Sequence, residues 1–359
     1  MRLIHCGDLH LGSPMGKNLT LQQANERRNE MLLTLERMIS FAKAEQVRAI
    51  LIAGDLFDSK QAGERLSRHV LQLMENAPEI DFYYLRGNHD TDCMTQDPAS
   101  LPDNLKLFSN KWKSYRYDTL TISGVEFDGT NGRSIYDTMN LDEKRINIVL
   151  LHGQESSSIG KEDAELIDLK ELKDRGIDYL ALGHVHSYQA YPLDSRGVYC
   201  YSGCLEGRGF DECGKKGFVV LETMGRTITH QWIPFSTREC WDLEVDITDT
   251  MDTYEADSRI QTELMGQSDR SMIKVRLTGE VSGESVRNLG YLEKKYKDQF
   301  FAFKIQDDTR LKINLESYKR DASLKGEFIR LVMEQELNEG EQKRIIETGL
   351  KALRGEEIV

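Results

Sequence analysis

No run of apolar residues in this 359-residue sequence approaches the roughly 18 that a membrane-spanning helix requires, so a membrane protein is not expected. The chain enters an apolar stretch at once, without a basic segment ahead of it; no secretory leader is evident, and a cytoplasmic location is expected. Cysteine is scarce, and its six residues are too scattered for a dense disulfide framework. Cys200, Cys204, Cys213 and Cys240 raise the idea of a structural zinc but lack paired C-x-x-C knuckles. Small buried or partly exposed thiols are the expected reading. Positive charge is short as well: the net charge is −13. A chain that binds nucleic acid alone normally carries a basic surface, so strong unaided DNA binding is not expected. Bound cations or a partner could supply the missing charge. Neither an internal repeat nor a low-complexity tract is present.

What remains is an ordinary globular composition, 30% charged and 39% hydrophobic, on a length suited to roughly two domains. Within it, five apolar runs end in the same way. The first ends at Gly7-Asp8-Leu9-His10, the second at Gly54-Asp55-Leu56-Phe57-Asp58, and the third at Gly87-Asn88-His89-Asp90. The fourth and fifth end at His152-Gly153 and Gly183-His184-Val185-His186. Asn and Asp are common turn residues, so any one of these could be loop chemistry. Five together, holding five of the eight histidines, are not scatter. Ligands bind at the carboxyl ends of strands in open α/β sheets, and this set of residue types reads as a metal site. The remaining histidines fit structural roles: His5 as core, His69 on a helix surface and His230 in a strand outside any motif.

Periodicity predicts a helix over 21–45 and another over 62–76, each alternating with a strand. Residues 91–110 read as a loop covering the site, and 126–145 as a second irregular stretch in which Arg133 is a solvated loop residue. A helix over 163–175 precedes the strand that delivers His184 and His186. Short strands follow at 198–201, 217–222 and 227–233, suggesting a second antiparallel layer that completes a β-sandwich. A boundary falls near 234–242. Beyond it, strands at 241–247, 272–277 and 301–305 and a helix over 283–297 indicate a small α+β domain. Two helices, about 324–337 and 341–354, break at Asn338-Glu339-Gly340. Each carries an apolar stripe that no third helix covers.

Carboxylate, amide oxygen and imidazole are the hard and borderline ligands that a two-cation site needs. Such sites clamp the attacking and leaving oxygens of a phosphoryl group and lower the pKa of a bound water to about 7. Phosphodiester hydrolysis can require on the order of 20 kcal/mol of barrier lowering. A single general acid or base supplies only about 10²–10⁴-fold, so cations must carry most of it.

The ordered set DLH, GDLFD, GNHD, HG and GHVH resembles the calcineurin-like metallophosphoesterases over about residues 1–190. Within them the chain is most similar to the SbcD-type DNA-repair exonuclease subunits. Gly7 to Gly12, Arg27-Arg28, Ala53 to Asp58, Tyr201-Ser202-Gly203 and Gly214 to Phe218 carry that closer likeness. The resemblance implies an α/β two-sheet sandwich flanked by helices over 1–236, a small α+β capping domain over 237–318, and a helical segment over 319–359. It implies that Asp8, His10, Asp55 and His186 hold one divalent metal. Asp55, Asn88, His152 and His184 would hold a second, with Asp55 shared. His89 would be a non-ligand acid or charge stabiliser, oriented by Asp58 or Asp90. Manganese is the implied metal; Fe, Zn or Mg also suit the ligands. The implied activity is DNA exonuclease or endonuclease cleavage of duplex ends or single strands. The implied partner is an SMC-like, SbcC-type ATPase docked on the C-terminal helices; a homodimer stays open. A small-molecule phosphodiesterase or phosphatase is the alternative, and the acidic balance favours it.

Overall fold

Three strands, Arg2–Cys6, Ala49–Ala53 and Asp81–Leu85, lie parallel and side by side. They are almost wholly apolar, as strands covered on both faces must be. Leu105–Leu107 extends one edge of this first sheet. The hairpin of Gly217–Met224 and Thr227–Pro234 extends the other, antiparallel to Arg2–Cys6. A second six-stranded sheet runs in the order 189–192, 198–201, 179–183, 146–152, 120–124, 113–116. Its central strands, Ile146–His152 and Tyr179–Gly183, are also parallel. This computed structural model describes all residues except 16–17, 59–62, 91–100, 118, 129, 156–165, 283–284, 286, 313–317, 319–320 and 354–359.

Side-chain alternation along each strand makes the layers. Leu3, Leu51 and Tyr83 of the first sheet pack against Ile122, Ile148, Leu150 and Tyr179 of the second, forming a core between the sheets. Ile4, Ile50, Ile52, Phe82 and Tyr84 point to the first sheet's outer face. There they meet Met31, Leu35 and Met38 of helix Leu21–Ala44, and Val70 and Met74 of helix Glu64–Glu75. Val149, Leu151, Leu180 and Leu182 cover the second sheet's outer face with Ile135, Leu169 and Leu172. The first unit, Met1–Cys240, is therefore a mixed α/β sandwich of two sheets flanked by helices. The long helix starts in a capping box: Gln23 N donates to Thr20 Oγ1, and Thr20 N donates to the Gln23 side chain. Its buried Met31-Leu35-Met38 stripe, rather than intrinsic propensity, holds it in place.

Several expectations change. The short strands after His186 do not form a layer of their own. Val198–Tyr201 pairs parallel with Tyr179–Gly183 in the second sheet, whereas the 217–234 hairpin joins the first. Inside 163–175, residues 163–165 fall outside the described ones. Leu166–Ile167 is a strand, and only Leu169–Leu172 is helical. Asp168 caps that single turn, and Asp174 at φ +57° and Gly176 at φ +80° stop it. Much of the supposed covering loop, 91–100, lies outside the described residues, and 105–107 is a strand. The irregular stretch contains a short helix, Ser134–Thr138; Arg133 just before it is exposed, as expected, and pairs with Glu171 at 2.5 Å.

The second unit, Trp241–Val359, holds a three-stranded sheet of Cys240–Asp246, Met272–Thr278 and Ala302–Asp307. Helices Thr253–Leu264 and Leu289–Lys297 contribute Ile260, Leu264, Leu292 and Tyr296 to its core. The first of these has no counterpart among the expected elements, and the second begins later than residue 283. Asn288 explains the late start, because its side chain accepts from Tyr291 N and caps the helix. The last two helices, Leu324–Met333 and Glu339–Leu353, bury Ile329, Val332, Ile346 and Leu350 against each other. Part of each stripe stays outside: Leu324, Leu331, Ile345 and Leu353 are exposed.

Candidate metal centre

The five strand exits converge on one edge of the sandwich. The first sheet brings Asp8, His10, Asp55, Asp58, Asn88 and His89 from three adjacent strands, and the second brings His152, His184 and His186 from two. Backbone shape explains why these positions end strands. Asp8, His10, Asp55 and His184 all take positive φ, at +52°, +43°, +51° and +94°. A non-glycine residue rarely does so, and such residues gather where a site needs its side chains aimed. Close approach sets the glycines. A Cβ on Gly54 would lie 2.1 Å from His152 Nδ1, and one on Gly183 would lie 1.8 Å from the Ala53 carbonyl oxygen.

Two candidate ligand groups share Asp8. One ligand atom each from Asp8, His10 and His186 lie within 4.8 Å of one another, and so do those of Asp8, Asp55 and His152. Asp55 stands between the sets: its Oδ2 is 3.5 Å from both His10 Nε2 and His152 Nε2, while its Oδ1 accepts from His89 N at 2.8 Å. Asn88 Oδ1 is 3.0 Å from His152 Nε2. His184 N donates to the Asp8 carboxylate at 2.8 Å, and its ring stands edge-on to His152 at 5.4 Å.

Outer contacts fix which ring nitrogens face inward. His152 Nδ1–H donates to the Ala53 carbonyl at 2.9 Å, leaving Nε2 for the centre. His186 Nδ1–H donates to Glu212 at 2.6 Å, leaving its Nε2 only 3.2 Å from His10 Nε2. Two imidazole nitrogens that close need a proton or a cation between them. Burial, reinforced by the charges of Arg208 and His186, pushes His10 down to about 2, so His10 is a neutral donor. Burial pushes Asp8 up to about 7, with His186 opposing and Asp55 adding to the rise. A cation would relieve that cost. The donor set and the facing nitrogens thus fit divalent metals of hard to borderline character.

His89 forms a further candidate ligand group with His10 and Asp58, its ring edge-on to His10 at 5.0 Å. It is exposed, and its Nδ1 lies 3.3 Å from Asp58 Oδ1. Asp58 Oδ1 also approaches His10 Nδ1 at 3.6 Å. Asp90 is engaged elsewhere: its carboxylate accepts from Phe57 N at 2.8 Å, Gly87 N at 2.9 Å and Leu56 N at 3.3 Å. It ties two ligand loops together through their backbones. His5, buried on the first strand, meets Tyr179 Oη at 2.9 Å in the core, and His69 lies at the surface, 3.0 Å from Glu36.

Glu212 and Arg208 were not found from the sequence. Both lie in the glycine-rich connector after Tyr201, which no apolar run announces. Burial alone would raise the Glu212 carboxyl, but hydrogen bonds from His186 and Arg208 override it and hold the group well below the carboxylate range. Arg27, in the first helix, serves the same connector from beneath. Its buried guanidinium donates to Glu206 at 2.9 Å and to the Gly207 carbonyl at 2.5 Å.

Comparison with known proteins adds relatives to this geometry. The chain is 28% identical over 244 residues to the uncharacterized metallophosphoesterase YhaO of Bacillus subtilis, covering 65% of this chain and 60% of that protein. It is 22% identical over 296 residues to the DNA double-strand break repair protein Mre11 of Sulfolobus acidocaldarius, covering 78% of this chain and 76% of that one. An SbcCD nuclease subunit of Staphylococcus saprophyticus is 25% identical over 280 residues, covering 65% of this chain and 69% of that protein. The family model for calcineurin-like phosphoesterases matches residues 1–188, over half of the chain and all five strand exits. With its exits gathered on one edge as candidate metal ligands, this chain belongs to the calcineurin-like phosphoesterases.

Proposed function

We propose that this phosphoesterase is a manganese-dependent nuclease that cuts DNA in partnership with an SMC-like ATPase. The observation that carries the hydrolytic part is the gathering of Asp8, His10, Asp55, His152 and His186 at one edge, with Asn88 and His184 in contact with them and an exposed His89 beside Asp58. Asp8, His10, Asp55 and His186 would hold one metal, and Asp55, Asn88, His152 and His184 the other. Asp55 as the shared ligand is supported by its Oδ2 lying 3.5 Å from a histidine of each set. When bound, the metals neutralise charge on the phosphoryl oxygens and activate water. His89 delivers a proton to the leaving oxygen. Asp58, beside Nδ1, orients the ring and leaves the other nitrogen for the substrate; Asp90 is committed to backbone amides and takes no part in this.

DNA as the substrate is supported by the extended matches to Mre11 and to the SbcCD nuclease subunit, which reach beyond the family's own segment. The ATPase is supported by the exposed Leu324, Leu331, Ile345 and Leu353 on the last helix pair, an apolar surface for a partner helix. On this reading the 1–236 segment does the chemistry, 237–318 is a separate small α+β domain and 319–359 docks the partner. The setting is cytoplasmic; among the described residues no helix is long and apolar enough to cross a membrane.

Small-molecule phosphodiester or phosphomonoester hydrolysis is the second reading, favoured by the net charge of −13. Assaying linear duplex DNA beside a chromogenic phosphodiester, each with and without Mn²⁺, separates the two. Cleavage of the chromogenic ester alone, with the ATPase present, would reject the nuclease.

A further inference from the structure

Outside the ligand groups, two sulfur atoms lie unusually close. Cys213 Sγ and Cys240 Sγ are 2.7 Å apart, nearer than two non-bonded sulfurs rest. They are 27 positions apart in sequence, and the backbone brings them together: Gly214 N donates to the Cys240 carbonyl at 2.8 Å. Cys240 is buried, whereas Cys213 is partly exposed.

Their place in the fold matters as much as their distance. Cys213 directly follows Glu212, whose carboxylate orients His186 at 2.6 Å and binds Arg208. The connector carrying these residues is fastened at its near end, where Glu206 accepts from Arg27 and from Thr34 Oγ1 at 2.7 Å. Its far end is fastened at Cys213 and Gly214.

We propose that Cys213 and Cys240 form a reversible intramolecular disulfide, a redox clasp on the connector that supports His186. Oxidised glutathione is the class of oxidant that suits it. The Cys213 thiolate attacks one glutathione sulfur, making a mixed disulfide and releasing one glutathione. The Cys240 sulfur then attacks Cys213 Sγ and releases the second. One S–S bond breaks and one forms; the two cysteine protons leave with the glutathiones, and two electrons pass from protein to oxidant. Cys213 is the attacking sulfur on exposure. The Cys240 thiol is also held well above its usual pKa by Cys213 and by burial.

The functional half of this inference rests on His186 being a metal ligand. In the reduced chain the far end of the connector is held by a thiol contact and a main-chain hydrogen bond. In the oxidised chain a covalent bond holds the residue next to Glu212. Outer contacts of a metal-bound histidine are worth about 10–100-fold in metal affinity when removed. Tightening one should slow metal release by less, roughly 3- to 10-fold.

The test uses the full chain, treated with oxidised glutathione or with a phosphine reductant, then alkylated and digested without reduction. A peptide linking Cys213 to Cys240 in the oxidised native chain, absent from Cys213→Ser and Cys240→Ala, is the expected result. A link that forms only after unfolding would overturn the clasp. Chelator-driven Mn²⁺ release is then timed for oxidised, reduced and Cys213→Ser chains. Slower release from the oxidised chain alone is expected. Equal release from all three overturns the coupling to His186 while leaving the disulfide standing. If no form retains metal, the metal-ligand reading and the coupling fail together, and the peptide map decides the clasp independently.

Discussion

The two units differ in where they put their unfavourable features. In the first, buried carboxylates and imidazoles crowd one sheet edge, on backbone that is left-handed at Asp8, His10, Asp55 and His184. In the second, the one non-glycine residue at positive φ among those described is Asp249, in a turn. The buried Asp257 there is satisfied by Tyr296 at 2.6 Å and Lys295 at 2.5 Å. No group of metal-ligating side chains forms in the second unit among the described residues. Ordinary packing explains the second unit; the first contains an arrangement that packing alone would not choose.

The sharpest way to break this contrast is to remove the group at its middle. Asp55→Asn should cost both metals and more than about 100-fold in hydrolysis, whereas His10→Ala should deplete mainly one metal. Elemental analysis of the two purified variants checks this, and two full equivalents in Asp55→Asn would end the shared-ligand assignment. Next in size is His89→Asn. It should keep its metals and lose on the order of 10²-fold on a poor leaving group, with a smaller loss on a nitrophenyl ester that needs no protonation. Equal losses on both esters would leave His89 only a role in stabilising charge.

Glu212→Gln probes the support that the sequence did not announce. Metal affinity, measured by calorimetry, should fall by about 10–100-fold, with the fold intact. A smaller effect comes from pH. Burial raises the Asp8 carboxyl to about 7, so below that pH a cation must displace its proton. Affinity for Mn²⁺ should therefore fall about tenfold per pH unit as pH drops below about 7. The sign for stability follows. The metal-free fold gains from this group below the ordinary value of 3.8 and loses that gain as pH rises through about 7. Added metal should thus raise Tm more at pH 8 than at pH 6. The smallest effect on chemistry belongs to the tail. A chain ending at Asp321 should melt and hydrolyse a chromogenic ester like the full chain, and lose only co-purification with the ATPase. A collapsed melt would make those helices core.

The parts of this molecule legible in its sequence are those where strand period and residue type coincide. Apolar runs such as Ala49–Ala53 and Ile146–His152 announce buried strands, and the Asp or His that ends each one announces the site. Long amphipathic segments were equally plain, as Leu21–Ala44 shows. What stayed hidden depends on contacts far apart in sequence. Glu212 meets His186 across 26 positions in a connector without period. Asp58 and Asp90 read alike in sequence, and only their contacts differ: Asp58 lies 3.3 Å from His89, and Asp90 accepts from backbone amides. The helix expected over 163–175 shrinks to the single turn Leu169–Leu172 for a local reason: the strand Leu166–Ile167 precedes it and the turn starts only at its Asp168 cap.

The glycines at the strand exits bear on how such an enzyme can change. At Gly183 a single methyl group would fall 1.8 Å from the Ala53 carbonyl, and at Gly54 it would strike the His152 ring. The two sheets therefore meet backbone to backbone at the centre, with no slack to widen or reshape it. New substrates cannot be accommodated by remodelling that edge. They have to be gained in the connectors that leave it, or in other parts of the chain, while the centre keeps its shape. A library that randomises the connectors should yield altered selectivity, and one that randomises Gly54 or Gly183 should yield inactive protein.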